Sequence, residues 1–196
     1  MIISLDAKIP ELPPVLKDPE AAFKAMREAA ARAMSVALIR HFREKNRTPN
    51  AKGFKRSNYW SQAAESVTSR VEGDAAVAEV RKEGVRLRLL GGTVRPKAGK
   101  RALAIPADPS VAGIWPSEYG GKRGGVKTFL LWRKGENRGF IGTAVKGQKE
   151  PKVLWWLVSK TQHKPDPTAL PEMSAMVAAV ERACRGVLRT LGGGAK

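Results

Sequence analysis

The chain has 196 residues, of which 42% are hydrophobic and 28% are charged, and it carries 36 Lys and Arg against 18 Asp and Glu. The apolar fraction excludes disorder for the body of the protein, and the length is that of one ordinary domain with its own core. The single cysteine, Cys184, and the two histidines, His41 and His163, exclude a disulfide scaffold and a structural zinc module.

The formal charge of +18 creates a field that favours a polyanionic partner, which can be nucleic acid, an acidic protein surface or anionic lipid. No apolar run approaches the roughly 18 to 20 residues needed to cross a bilayer, which predicts a soluble protein with no membrane partner. The N-terminus lacks the basic start and the apolar stretch of a signal peptide, so we expect synthesis in the cytosol.

Residues 1–17 combine apolar side chains with prolines, which predicts an extended arm rather than a helix. Such an arm suits a protein surface better than it suits phosphate, and only substantial burial on a neighbouring subunit or ring can offset the cost of ordering it. The assembly side chains that we assign to the arm are Ile2, Ile3, Leu5, Ile9, Leu12, Val15 and Leu16.

A long amphipathic helix is predicted over about residues 19–46, where apolar residues recur at spacings of three and four. Asp18 is suited to cap this helix, and Pro19 is suited to its first position. The basic residues on its other face are typical of solvated positions; they are Lys24, Arg27, Arg32 and Arg43.

A polar and basic loop is expected over residues 46–57, followed by a second helix that begins at Ser57 or Asn58. Gly73 and Asp74 are expected to end it. The apolar residues that repeat at helical spacing within it are Trp60, Ala64, Val67 and Val71.

Strict alternation of apolar and basic residues over 85–89 predicts a β-strand, which we expect to pair with residues 76–81 through a turn at 82–84. The alternation places Arg86 and Arg88 on one face of the sheet. The opposite face then carries Val85, Leu87 and Leu89.

Further strands are predicted along the rest of the middle section, as a second hairpin over 94–106 that turns at 97–100 and a third over 128–133 and 139–145. Residues 153–158 form the most apolar strand of the chain.

A second clear amphipathic helix is predicted over residues 171–191, followed by a flexible glycine-rich tail at 192–196. The expected fold class is therefore α+β, with N- and C-terminal amphipathic helices packed on a mainly antiparallel sheet. We expect residues 18–191 to form a single domain, with the arm before it and the tail after it.

Catalytic chemistry finds little support in the residues. Cys184 lies on the apolar face of the last helix and is expected to be a buried hydrophobe, and neither histidine lies in a motif for base catalysis. The carboxylates that could hold Mg²⁺ have no defensible spacing; they are Glu79 and Glu83, or Asp108 and Asp166. We therefore expect no catalytic residue, no metal and no cofactor.

Nucleic-acid binding agrees better with the residues, because basic side chains cluster over residues 81–101 and in a GGKRGG loop. Phosphate contacts of this kind need no base readout, and the chain has no recognition-helix or zinc-finger pattern. Four tryptophans are expected in the core rather than stacked on bases: Trp115, Trp132, Trp155 and Trp156. The candidate DNA-facing residues are Arg86, Arg88, Arg95, Lys97, Lys100, Arg101, Lys122 and Arg123.

The order of elements resembles the neck and tail-completion proteins of long-tailed bacteriophages, including the virion-morphogenesis and minor tail protein Z groups. Two stretches carry most of the resemblance, GGTVRPKAGKRALAIPAD and KVLWWLVSKTQHKPDPTALP, the second of which leads into the final helix. The similarity spans about residues 19–191.

This resemblance implies a structural virion protein of the head-tail neck, made in the host cytoplasm. The implied assembly is a homo-oligomeric ring, with six copies expected, around the exit path of the phage double-stranded DNA. Its implied partners are the neighbouring head-tail connector or tail-tube proteins. The alternative from another class is a cellular nucleic-acid-binding protein without sequence preference, and a phage nuclease is weaker still.

Overall fold

The structure is a computed structural model that describes the backbone of residues 2–3 and, with side chains, residues 18–48, 54, 57–119, 127–132 and 138–192. The described helices, in chain order, are α1 (Pro19–Arg47), α2 (Tyr59–Glu65), α3 (Val85–Leu90), α4 (Pro116–Tyr119) and α5 (Met173–Leu191). The described strands are β1 (Ile2–Ile3), β2 (Val67–Glu72), β3 (Ala75–Val80), β4 (Gly92–Val94), β5 (Leu103–Pro106), β6 (Thr128–Trp132), β7 (Arg138–Thr143), β8 (Lys152–Val158) and β9 (Thr161–His163).

The predicted α+β class is confirmed, since every strand pairing among the described residues is antiparallel and the long helices α1 and α5 flank the sheets in sequence. The chain divides into two compact units, and the single domain expected over residues 18–191 stays a prediction. The helical unit comprises residues 1–48, 58–90 and 166–196, and the sheet unit comprises residues 49–57 and 91–165.

The two long helices were predicted correctly, and they pack on each other in the helical unit. Asp18 caps α1 by accepting a hydrogen bond from the Ala21 amide at 3.0 Å, and Pro19 occupies the first turn. The core between α1, α5 and the β2–β3 hairpin is apolar throughout. Its buried residues include Met26, Met34, Leu38, Phe42, Ala78, Val80, Met176, Val180 and Cys184.

The second predicted helix is wrong beyond Glu65, because Val67–Glu72 is a β-strand that pairs with β3. Its β-branched residues favour a pleated strand over a helix. Gly73, with a φ of 56°, forms the turn that reverses the chain into β3. Residues 76–81 were predicted to pair with the segment that follows them, at 85–89. The strand β3 pairs instead with β2, which precedes it.

The strand predicted over residues 85–89 is also wrong, since α3 is a helix. Val85 and Leu89 are four residues apart and so share a helix face as readily as a strand face, which makes so short a pattern ambiguous. The Arg88 amide donates to the Gly84 carbonyl at 2.9 Å, and Val85 is fully buried. Burial of this first turn favours the helix.

The sheet unit is built on an antiparallel sheet in the order β5-β8-β7-β6, with β4 and β9 paired separately. The third predicted hairpin is confirmed in β6 and β7, and the predicted apolar strand is β8. Leu154 and Trp155 of β8 pack on Val111 to form the buried core of this unit.

The hairpin predicted over residues 94–106 does not form. Its turn is present, with the Lys100 amide donating to the Lys97 carbonyl at 3.0 Å, but β4 pairs with β9 and β5 pairs with β8. Pairing with β8 places Leu103–Pro106 beside the most apolar strand of the chain, where its apolar side chains are partly buried. Pairing with the segment before the basic turn would bury less apolar surface.

Little of the predicted arm is described. The backbone of Ile2–Ile3 forms β1, which pairs with Ala78 and Glu79 at the edge of β3. The remaining arm residues, the predicted loop at 49–53 and 55–56, and the tail at 193–196 lie outside the described residues.

Candidate nucleic-acid interface and assembly surface

The candidate DNA-facing residues fall on both units. Arg86 and Arg88 belong to α3 in the helical unit, and the four basic residues at 95, 97, 100 and 101 belong to the sheet unit. Lys122 and Arg123 lie outside the described residues.

The common sheet face predicted for Arg86 and Arg88 is wrong, because two residues separated by one position on a helix point roughly 200° apart. Arg86 is exposed. The Arg88 guanidinium instead lies over two aromatic rings of α2, with its carbon 4.4 Å from the centre of the Tyr59 ring and 5.4 Å from that of Trp60. Both distances are within the range of a cation–π contact.

The aromatic pair beneath Arg88 is fixed by further contacts. The Tyr59 hydroxyl donates to the Glu83 carbonyl at 3.1 Å, and burial raises the pKa of this tyrosine against the opposing effect of Arg88. The Trp60 ring stacks on Phe42 with centroids 5.6 Å apart. We call Tyr59, Trp60 and Arg88 the arginine platform.

Lys45 lies on the other part of this aromatic surface, with its ammonium 5.1 Å from the centre of the Trp60 ring. The same ammonium donates to the Thr168 carbonyl and hydroxyl at 2.7 Å each and to Asp166 at 3.2 Å. The Thr168 hydroxyl and then Lys45 lower the pKa of Asp166. His41 donates from Nε2 to the Thr168 carbonyl at 3.0 Å. These contacts give His41 and Asp166 structural roles.

The basic segment comprises Arg95, Lys97, Lys100 and Arg101, all of which are exposed. It surrounds the turn between β4 and β5, where Gly99 has a φ of 79°. Within the described part of the chain, none of these four side chains forms an ion pair. Arg101 lies over the Trp132 ring at 4.6 Å, which leaves its guanidinium edge available to an anion.

Three of the four carboxylates considered for metal binding, Glu79, Asp108 and Asp166, are paired with cations. Asp108 accepts from Lys152 at 2.8 Å and from Ser110, and these bonds lower its pKa to about 2. Glu79 pairs with Arg70 at 2.7 Å and with Arg81, and both lower its pKa. Among the described residues, no three His, Cys, Asp or Glu side chains are grouped to hold a metal ion.

Cys184 is buried, as predicted, and burial raises the pKa of its thiol. The thiol faces the Met26 carbonyl at 3.8 Å between α5 and α1. His163 is exposed on β9. No helix in the described part of the chain is both long and apolar enough to span a bilayer.

The prediction that the tryptophans are core residues is only partly right. Trp155 is buried and Trp132 is half-buried, but Trp115 is 69% exposed and Trp156 is 49% exposed. Trp156 belongs to an apolar row that crosses all four strands of the sheet, from Ile105 through Trp156 and Phe140 to Leu131. Phe129 extends this row by contacting Phe140 edge to face at 6.1 Å.

We call these five residues the apolar row, and sequence reasoning missed it because the strand order of the sheet decides which side chains align. Leu131 is 44% exposed and Trp156 is 49% exposed, so part of the row is open to solvent. The row ends at β6, the outer strand of the sheet, whose sequence TFLLW contains no charge, proline or glycine. Edge strands that remain unpaired in solution usually carry a charge, a proline or a bulge that blocks pairing with another chain. The described residues of β6 lack the first two of these features.

Comparisons of the chain with protein families, with curated proteins and with solved structures give no match.

Proposed function

We propose that this protein is a non-catalytic structural component of the head-tail neck of a long-tailed phage, where it acts in tail completion. In this proposal six copies form a ring that surrounds the double-stranded DNA and contacts a head-tail connector or tail-tube protein. The observation that carries the proposal is the basic segment, four exposed cations that form no ion pair within the described residues.

The basic segment suits a duplex that must be held or guided whatever its sequence. Lys and Arg neutralise phosphates and release condensed counterions, and this gain is independent of the bases. Arg101 adds a guanidinium whose orientation is restricted by Trp132, so less side-chain entropy is lost when it meets a phosphate.

The apolar row and the β6 edge support the homo-oligomeric part of the proposal. An exposed apolar patch beside an unprotected edge strand is typical of a protein-protein contact rather than of a free monomer. The +18 charge makes copies of the protein repel one another. In this proposal, burial of apolar surface and neutralisation of the charge by DNA phosphates offset that repulsion.

The experiment measures the mass of the purified protein by mass photometry and its affinity for a mixed-sequence duplex by fluorescence anisotropy. A discrete oligomer that binds the duplex supports the proposal. A monomer or dimer that binds the duplex by itself supports the cellular nucleic-acid-binding protein instead. Failure to bind DNA at low salt contradicts both.

The virion role is tested in a phage that encodes the protein. Loss of the gene is expected to leave filled heads and separate tails in electron micrographs, because the neck is incomplete. Normal virions without the protein would contradict the proposal. Expression of the protein from a plasmid is the control, since it should restore joined particles.

A further inference from the structure

We propose that the arginine platform is a phosphate clamp, in which the Arg88 guanidinium binds a phosphodiester group of the DNA backbone. This inference rests on the proposed function, and it adds a contact on the helical unit that the basic segment does not include. The site is a built one, since the rings and the backbone around Arg88 are each held by contacts of their own.

The first argument is the state of the guanidinium. Arg88 is exposed and has no carboxylate partner within the described residues, and its side-chain hydrogen bond is with the neutral Tyr59 hydroxyl. No acid among the described residues balances its charge, which meets the hydroxyl and ring of Tyr59 and the ring of Trp60. A guanidinium offers five N–H donors in a fixed plane, a geometry that matches the oxygens of a phosphate.

The second argument is rigidity. The Tyr59 ring is held by its hydroxyl bond to Glu83 and by the close approach of Gly84, where an added Cβ would lie 3.1 Å from the hydroxyl oxygen. The Arg88 backbone is held as well, because its carbonyl accepts from the Asp166 amide at 2.8 Å. A fork fixed in this way loses little entropy on binding.

The third argument concerns the neighbouring charge. The Lys82 ammonium lies 5.7 Å from the centre of the Tyr59 ring and donates to the neutral Gln62 side chain at 2.6 Å. It has no acidic partner within the described residues. Arg88 and Lys82 therefore place two positive charges around one ring, which favours an anion there.

The same arrangement decides between two ways of contacting nucleic acid. Tyr59 and Trp60 could stack on bases only if a ring face were open to a planar partner. Arg88 lies over both rings, Lys45 lies over Trp60, and Phe42 stacks on Trp60. The platform is therefore suited to the backbone phosphate and independent of base sequence.

The test compares Arg88→Ala, Arg88→Lys and the control Arg43→Ala in the full chain. Arg43 is exposed and lies two residues from both His41 and Lys45, so it points away from the platform. Duplex affinity is measured by anisotropy between about 0.05 and 0.2 M salt.

Arg88→Ala is expected to weaken binding about fivefold at 0.15 M salt and to reduce the slope of log affinity against log salt by about 0.9, the value of one phosphate contact. Arg88→Lys keeps the charge, so its slope should stay near that of the wild type while its affinity falls. Arg43→Ala should match the wild type in both quantities.

A merely structural role of Arg88 predicts a lower melting temperature with an unchanged salt slope, and that result would overturn the clamp. Equal losses in Arg88→Ala and Arg43→Ala would also overturn it. If Arg88→Ala does not fold, Arg88→Lys carries the test, and an affinity equal to that of the wild type would then overturn the clamp. Failure of the wild-type protein to bind duplex DNA refutes the proposed function, whereas binding that is insensitive to Arg88 refutes the clamp alone.

Discussion

Neutralising the basic segment is the most direct test of the proposed DNA contact on the sheet unit. The variant replaces Arg95, Lys97 and Lys100 by Ala and keeps Arg101, whose contact with Trp132 could contribute to packing. The three replaced side chains are exposed and form no ion pair within the described residues, so the fold should tolerate the change.

The magnitude follows from counterion release. Each lost phosphate contact lowers the slope of log affinity against log salt by about 0.9, so three contacts lower it by about 2.7. At about 0.15 M salt this corresponds to a loss of affinity on the order of 100-fold. Fluorescence anisotropy with a mixed-sequence duplex at several salt concentrations gives both quantities.

The matched control replaces Lys146, Lys149 and Lys164 by Ala, which are exposed lysines of the same unit outside the basic segment. It lowers the net charge by the same amount. We expect the control to retain nearly all of the slope. Equal losses in the two triple variants would refute the reasoning, because the binding would then reflect net charge rather than a located interface.

Three further predictions concern assembly and stability. Leu130→Lys should lower the mass measured by mass photometry, because it places a charge on the outer strand β6. The control Val36→Lys changes a residue of α1 with the same 63% exposure and should leave the mass unchanged. Equal effects of the two changes would contradict a contact at β6. Gly91→Ala should destabilise the protein by about 1 to 3 kcal/mol in urea, because φ is +71° and the added Cβ would lie 2.8 Å from the His163 carbonyl; an unchanged midpoint would show that this turn is not constrained. Asp108→Asn should reduce the loss of stability on acidification. The pKa of the wild-type carboxylate is lowered to about 2, so its contribution to stability is present above its ordinary pKa near 4 and is lost as the pH falls towards 2. The free energy of unfolding in urea, measured across that range, should therefore fall less in Asp108→Asn than in the wild type. An equal fall in both proteins would contradict this role of Asp108.

The parts of the fold that could be predicted are those specified by local periodicity. Met26, Met34 and Phe42 recur over many turns of α1, and a pattern this long has one explanation. Residues 85–89 offer only one and a half turns, so the same alternation fits two structures. The outcome there depends on burial of Val85, which no local pattern contains.

The strand pairings show a second limit. The turn at 97–100 was identified from its residues, but β5 pairs with β8, far along the chain, and not with the segment before the turn. Local turn chemistry cannot rank such distant partners.

The candidate sites follow the same division. The positions of the basic segment could be found because charge is visible in the sequence. The contact between Arg88 and Tyr59 could not, since it depends on how α2 and α3 pack. The apolar row likewise requires the strand order β5-β8-β7-β6.

The packing of α1 on α5 has a consequence for the order of events on the ribosome. Met26 and Leu38 on α1 emerge early, yet the Met176 and Cys184 side chains that help to cover them are made only after the whole sheet unit has been translated. At about 5 to 20 residues per second, this interval is on the order of ten seconds. Throughout it, an apolar helix face lacks its final partner, so the nascent chain is a natural client for a chaperone that binds exposed hydrophobic surface.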